Sequence, residues 1–277
     1  PLAKRYEEIR DDIPLCNHII TTSGLDTASQ FKEIIEKGPF TLEMPDIADD
    51  DPAVMIYTAG LTGKPLGAVL THQNLRTQSN LVTDLYHTTG KDRSLAIIPL
   101  FHAFGAVVNM LAAIRIGAGI VLMDRFTMEA IIGSIEKDKV TYIAAVPRLF
   151  LGMVMYPDAE KYDVSSLDFC ITGGSTMPPE FIPMFEDKFK CILREGYGLT
   201  EASPVCSVGM RDMAHKPGSI GTVIPDVEAR AVDDRGNEVP RGEIGELVIR
   251  GVNVMKGYYK NEEATAQVIR NGWLYTS

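Results

Sequence analysis

The chain has 277 residues, enough for one large domain or two joined ones. With 45% hydrophobic and 23% charged residues it has a globular composition, which excludes a disordered or fibrous chain. The formal net charge of −10 argues against non-specific nucleic-acid binding, which runs on clustered Lys and Arg.

Residues 1–52 mix a charged helical start, Lys4 to Arg10, with a short apolar patch at Ile19–Ile20 and a helix-like Phe31–Lys37. The acidic stretch Asp46–Asp51 reads as a loop. From Pro52 onward, short apolar runs alternate with helical patterns. Ala53–Tyr57, Ser94–Leu100, Gly119–Met123, Val140–Val146, Leu167–Thr172 and Cys191–Glu195 predict strands. Between the first two, Leu75, Val82, Leu85 and Tyr86 form a core-facing helical stripe that Thr71 can cap. Met128, Ile131, Ile132 and Ile135 lie on one face of a second helix, with Thr127 as its cap and Lys137 and Lys139 at its cation-favouring end. Strands alternating with helices predict a mostly parallel sheet covered on both faces, an α/β fold with ligands at the carboxyl ends of the strands.

The most membrane-like stretch, Ala106 to Met123, contains Asn109 and Arg115. An arginine near the middle of a span costs about 2.5–3.5 kcal/mol, so this is a buried helix followed by a strand. No signal peptide opens the chain. Cys16, Cys170, Cys191 and Cys206 form no C-x-x-C pair, and Cys170 and Cys191 sit in apolar runs as buried thiols. A reducing compartment follows, hence a cytoplasmic location.

After Pro204 the helical periodicity stops. Val227–Val232 and Glu246–Ile249 predict strands, and Asp233–Asn237 a hairpin turn. The expected organisation is a leading piece over 1–52, an α/β unit over 53–202 and a smaller β-rich, barrel-like unit over 203–277. The apolar end Gly272–Thr276 carries no stop signal and looks like a cut.

Four segments carry chemistry. In Tyr57–Gly67 the glycines Gly60, Gly63 and Gly67 let backbone N–H groups approach a ligand, Thr58 and Thr62 add hydroxyls, and Lys64 adds charge. Phosphate is the natural guest, with a flexible turn as the plain alternative. The loop is not a Walker A motif, because Thr58 and Pro65 occupy its required Gly and Ser/Thr places. Gly196-Tyr197-Gly198-Leu199-Thr200-Glu201 offers an aromatic face, a hydroxyl and a carboxylate for a hard cation, or else a turn with a surface Glu. Thr172-Gly173-Gly174-Ser175 allows a flat ring to approach, or forms a tight turn before a helix that Pro178-Pro179 would start. His102, in Pro99–Gly105, is either a packed residue or a catalyst. No G-x-S-x-G elbow and no H-E-x-x-H occurs, and Leu122 stands where Gly117-x-Gly119 would need a third glycine.

Together these segments resemble the acyl-adenylate-forming superfamily of AMP-dependent synthetases and ligases: acyl-CoA synthetases, luciferases and peptide-synthetase adenylation domains. Tyr57–Gly67 resembles the family's phosphate loop and Tyr197–Glu201 its second signature. Pro99–Gly105, Thr172–Ser175, Arg250–Tyr259 and Gly272–Thr276 follow in the family's order, and the likeness runs from about Asp51 to the last residue. The similarity is greatest to fatty-acid–CoA ligases. It implies a carboxylic acid, ATP with Mg²⁺, and coenzyme A as co-substrate, and no nucleic-acid partner. It places Thr58, Gly60, Thr62 and Gly63 on the β- and γ-phosphates, with Lys64 as the loop's cation. Tyr197 would stack on adenine beside Gly198, and Gly173, Gly174 and Ser175 would form the pocket wall. Thr200 would contact the α-phosphate, Glu201 would hold Mg²⁺, and His102, Phe104 and Gly174 would border the acyl channel.

Ala59, Leu61 and Leu66 depart from the pattern, standing where the family usually has two hydroxyl residues and a Lys. The resemblance also implies chain missing at both ends, including a small C-terminal domain with its lysine, so that these 277 residues alone have little synthetase activity. Two other readings stand beside the ligase: a non-catalytic nucleotide- or acyl-binding relative, and an adenylation domain that loads a carrier protein. A long-chain acid would add peripheral membrane contact.

Overall fold

The computed structural model describes residues 2–15, 20, 29–38, 41, 43–59, 64–123 and 126–276. The chain divides into two units, Pro1–Ile47 and Ala48–Ser277. The first holds helices α1 (Leu2–Ile9) and α2 (Ser29–Glu36), on the two stretches with helical pattern. Cys16 and Ile19 lie outside the described residues.

The second unit opens with β1 (Pro52–Thr58), β2 (Leu66–Thr71) and α3 (His72–Tyr86). It continues through β3 (Arg93–Ala96), a π-helical turn (Gly105–Leu111) leading into α4 (Ala112–Ile116), and β4 (Gly119–Leu122). Then come α5 (Met128–Asp138), β5 (Tyr142–Ala145), α6 (Pro147–Met155), β6 (Phe169–Thr172), α7 (Phe181–Phe189) and β7 (Ile192–Gly198). The remainder is β8 (Val205–Val208), β9 (Thr222–Val223), β10 (Val227–Val232), β11 (Glu246–Gly251), β12 (Gly257–Tyr258), α8 (Glu262–Val268), β13 (Ile269–Arg270) and β14 (Trp273–Tyr275).

A seven-stranded sheet runs in the order β4-β3-β5-β6-β7-β8-β9. Its pairs from β4 to β7 are parallel, and β8 and β9 extend it antiparallel. Both faces are covered, so β5 and β6 read as unbroken apolar runs and are buried throughout. Side chains nevertheless sort by strand period. Ile143 and Cys170 face a core built by Ile131, Ile132 and Ile135 of α5, Phe150 of α6 and Phe185 of α7. Tyr142, Ala144, Phe169 and Ile171 face Val82 and Tyr86 of α3 and Val108 of the π-turn.

The helix caps follow the sequence. The Thr127 hydroxyl accepts from Ala130 N at 3.1 Å. Thr71 and Asn74 form a reciprocal capping box, with bonds of 3.2 and 2.8 Å. Cys170, Cys191 and Cys206 are buried free thiols, and burial pushes the Cys206 thiol up to about 12. No helix among the described residues is long and apolar enough to cross a membrane.

Three expectations need correction. The run Ala53–Tyr57 does not join the parallel sheet. It lies in β1, which pairs antiparallel with β2, and β12 adds a third strand. Thr58 at the end of β1 and Leu66 at the start of β2 are register partners. The run Ser94–Leu100 leaves the sheet after Ala96, because the π-turn packs directly over its continuation: a Cβ on Gly105 would fall 2.6 Å from the Ile98 and Pro99 carbonyl oxygens. Helix α8 interrupts the β-rich stretch. At seven residues it is too short to show a period, and it rests on Asn261, whose side chain accepts from Ala264 N at 3.0 Å.

The C-terminal sheet runs β10-β11-β14-β13. The Arg230 and Arg250 guanidiniums lie 3.9 and 4.6 Å from the Trp273 ring centre. The turn at 233–237 closes with Asp233 N donating to Asn237 O at 2.8 Å and Gly236 at φ 81°.

Candidate active site

Strands β6 and β7 end side by side, and the loops at their carboxyl ends open on a cavity of about 350 Å³. Gly173 follows β6 directly. A Cβ there would stand 3.3 Å from Gly196 O, a tight approach to β7, and 3.7 Å from the Phe104 ring, in ordinary contact with it. After β7 the chain turns back into β8 through a tight loop. Leu199 N donates to Pro204 O at 2.9 Å and Ala202 N to Leu199 O at 2.9 Å. A Cβ on Gly198 would lie 2.1 Å from Pro204 O, which leaves no alternative to glycine. The loop presents Thr200 and Glu201 to the cavity.

Glu201 is held at both ends. Its carbonyl accepts from Met255 N at 2.8 Å, and its Oε1 accepts from the Tyr258 hydroxyl at 2.7 Å. Tyr258 belongs to β12, and its register partner on β2 is Ala68. Burial, reinforced by the Glu201 carboxylate, pushes the Tyr258 phenol well up. The same segment is tied to α3, because Asn74 Nδ2 donates to Val252 O at 2.7 Å and Val254 O at 3.1 Å. Gln78 pins β8 through Val205, donating to its carbonyl at 3.2 Å and accepting from its N–H at 2.8 Å.

Thr58 lines the cavity from the end of β1. His102 lines it too. Its Nδ1 accepts from Phe104 N at 3.1 Å, which puts the proton of the neutral ring on Nε2. Tyr197 is half-buried among Leu199, Ala202, Ile249 and Leu274, and burial raises its phenol while a hydrogen bond from Thr276 opposes this.

The cavity thus gathers Thr58, His102, Phe104, Gly173, Gly174, Tyr197, Gly198, Thr200 and Glu201 from four separate sequence segments. Lys64 and Ser175 are exposed and do not line it. Gly60, Thr62 and Gly63 lie outside the described residues, as does Leu61. Sequence reasoning assigned no role to Tyr258, although it stood in the Arg250–Tyr259 segment. It also took the α3 stripe as plain core. Leu81, Val82, Leu85 and Tyr86 line the cavity, and nothing in the helical periodicity separates a cavity wall from core.

This arrangement brings a threonine hydroxyl, an aromatic face and a carboxylate to one crevice. The chain belongs to the AMP-binding enzyme family, whose pattern it matches over residues 3–259. It is 36% identical over 231 residues to a long-chain-fatty-acid–CoA ligase of Bacillus subtilis (strain 168), covering 82% of this chain and 41% of that protein. It is 33% identical over 267 residues to 4-coumarate–CoA ligase 4 of Arabidopsis thaliana, covering 93% and 47%. The anthranilate CoA ligase AuaEII, solved in complex with anthranoyl-AMP, superposes with a TM-score of 0.89 at 26% identity, covering 98% of this chain and 53% of that one. The chain spans less than half the length of these two curated relatives. The fold is that of the large N-terminal region of adenylate-forming enzymes, and the family is one of acid–thiol ligases acting on acyl and aryl acids.

Proposed function

We propose that this chain is the core of an AMP-forming carboxylate–CoA ligase acting on a fatty-acid-type acid. A carboxylate oxygen attacks the α-phosphorus of ATP, the bond to the bridging oxygen breaks, and pyrophosphate leaves. The sulfur of coenzyme A then attacks the acyl carbon, AMP departs with the electrons of the acyl–oxygen bond, and the thiol proton is lost to solvent. No protein nucleophile is required. Positioning and charge neutralisation carry the reaction.

In this reading Thr58, with Gly60, Thr62 and Gly63, holds the β- and γ-phosphates. Tyr197 stacks on adenine beside Gly198, and Gly173, Gly174 and Ser175 wall the base. Thr200 meets the α-phosphate, and His102 and Phe104 border the acyl carboxylate. Lys64, the cation of that loop, partly replaces the Lys that Leu66 displaces. The single observation that supports the assignment is that Thr58 and Glu201, 143 positions apart, line one cavity with Tyr197 between them in sequence.

The residues fit Mg²⁺. Glu201 has one oxygen engaged by Tyr258, and the other accepts no hydrogen bond among the described residues. Magnesium takes one or two carboxylates plus substrate phosphates, so Glu201 suffices as its protein ligand. When bound, the ion neutralises charge on the phosphates.

The 53–202 stretch is proposed to supply the nucleotide side and 203–277 the smaller β-rich unit, with 1–52 a remnant of a preceding subdomain. We assign the full-length gene product to a reducing, cytoplasmic setting. The decisive experiment is acid-dependent, Mg²⁺-dependent exchange of pyrophosphate into ATP by that gene product. Exchange supports a ligase. Nucleotide binding without exchange would favour the non-catalytic reading, which the missing hydroxyls at Ala59 and Leu61 support. Acyl transfer to a carrier protein but not to coenzyme A would favour the carrier-loading reading.

A further inference from the structure

The cavity extends well beyond the nucleotide-facing loops. From Thr172, at the end of β6, it reaches back along the sheet face to Ile171. Its walls there are Leu81, Val82 and Leu85 of α3, Val108 of the π-turn, Ile171 and Val208. The last wall is the Tyr86 ring, 2% exposed.

That ring is not free to move aside. It stacks on Phe169 with centroids 4.6 Å apart, and Phe169 stacks on Tyr142 at 5.0 Å. The Tyr86 hydroxyl is bonded to the Gly209 carbonyl, just past β8. Three buried rings therefore back one another across the sheet, and the first of them lines the cavity. In the ligase reading the cavity's volume of about 350 Å³ takes the nucleotide end as well as the acid.

Charge sets a second limit. Among the described lining residues none is Lys or Arg, and Glu201 is the sole carboxylate. A second carboxylate on the acid would enter an apolar cul-de-sac with no counter-ion, and an ammonium would find only aliphatic walls and rings.

Resting on the ligase reading, we propose that the acid is an apolar monocarboxylate of limited length, a medium-chain or single-ring acid, and that Tyr86 is the residue that sets the limit. The acid lies with its carboxylate near His102 and its apolar end against the Tyr86 ring. A hydrocarbon chain of sixteen carbons overruns the floor, and a dicarboxylate is rejected by desolvation.

The test is kcat/KM for acid-dependent pyrophosphate release by the full-length gene product. The acids are butanoate, octanoate, palmitate, benzoate and adipate. Octanoate or benzoate should exceed palmitate and adipate by about tenfold or more, the scale on which pockets sort substrates by size and polarity. Tyr86→Ala should raise the palmitate-to-octanoate ratio by about tenfold, and Tyr86→Phe should keep the wild-type profile, because the ring and not the hydroxyl is the wall. Leu85→Phe, at a partly exposed position that tolerates bulk, should lower octanoate relative to butanoate, and it decides the matter if Tyr86→Ala does not fold. Palmitate equal to or better than octanoate in the wild type would overturn the proposal, as would an octanoate-to-butanoate ratio unmoved by Leu85→Phe. Pyrophosphate release with none of the acids would instead overturn the ligase reading on which the proposal rests. Release with adipate alone would leave the ligase reading standing and overturn the proposal.

Discussion

The Tyr258 hydroxyl donates to Glu201 Oε1 at 2.7 Å, and this bond joins the sheet of β1, β2 and β12 to a carboxylate that lines the cavity. Glu201 arrives from the turn after β7, and Tyr258 from a two-residue strand paired with β2. The bond fixes one carboxylate oxygen and leaves the orientation of the other defined.

Tyr258→Phe should therefore weaken magnesium dependence more than it weakens folding. A hydrogen bond to a charged group is worth about 1.5–3 kcal/mol, and part of that is recovered from solvent in the open cavity. The Mg²⁺ concentration for half-maximal exchange should rise several-fold, with thermal stability little changed. An unaltered Mg²⁺ titration would show that Glu201 is oriented without Tyr258.

Glu201→Gln keeps the shape and the Tyr258 contact but removes the charge. Exchange should fall by about 100-fold or more, the usual scale for losing one preorganised electrostatic group. Retained exchange at high Mg²⁺ would move the metal site elsewhere.

Gly198→Ala tests the turn itself. With a Cβ 2.1 Å from Pro204 O, the backbone must open, and Thr200 and Glu201 must shift with it. We expect loss of exchange and a destabilisation of several kcal/mol, about the range for backbone-incompatible substitutions and overpacking. Normal stability in urea unfolding would contradict this geometry.

Stability should also depend on pH through His215. Its side chain is nearly buried, with Nε2 3.6 Å from Glu195 Oε2. Burial and the nearby Arg194 lower its pKa below 6.5, while Glu186 and Glu195 oppose the shift. The folded state thus binds the proton less readily than the unfolded chain. Stability is complete above about pH 6.5 and declines as pH falls from there toward the folded value. His215→Gln should flatten the loss of Tm between pH 7.5 and 5.5. An unchanged slope would place that pH dependence on other groups.

Much of the architecture was legible because the apolar pattern carries it directly. Met128–Ile135 has one buried face and a threonine cap, and both signals are local. The parallel strands β5 and β6 are unbroken apolar runs because both faces are covered. What stayed hidden depends on partners distant in sequence. β1 looks like any apolar strand, and nothing near it says that it pairs with β2 or that β12, which begins 199 positions after Thr58, completes that sheet. The site was legible as separate segments with separate plain alternatives. Their meeting in one cavity is a property of topology. Tyr258 and Tyr86 were invisible for the same reason: each acts through a contact across the fold, with Glu201 in one case and Phe169 in the other.

The central claim is that one crevice takes the whole acyl-adenylate. A crystal structure of the chain with a non-hydrolysable octanoyl-adenylate analogue tests it most directly. The account predicts adenine stacked on Tyr197, the phosphate mimic between Thr58 and Thr200, and the acyl tail directed toward the Tyr86 ring. An analogue bound with its base away from Tyr197, or its tail outside the wall formed by α3, would contradict it.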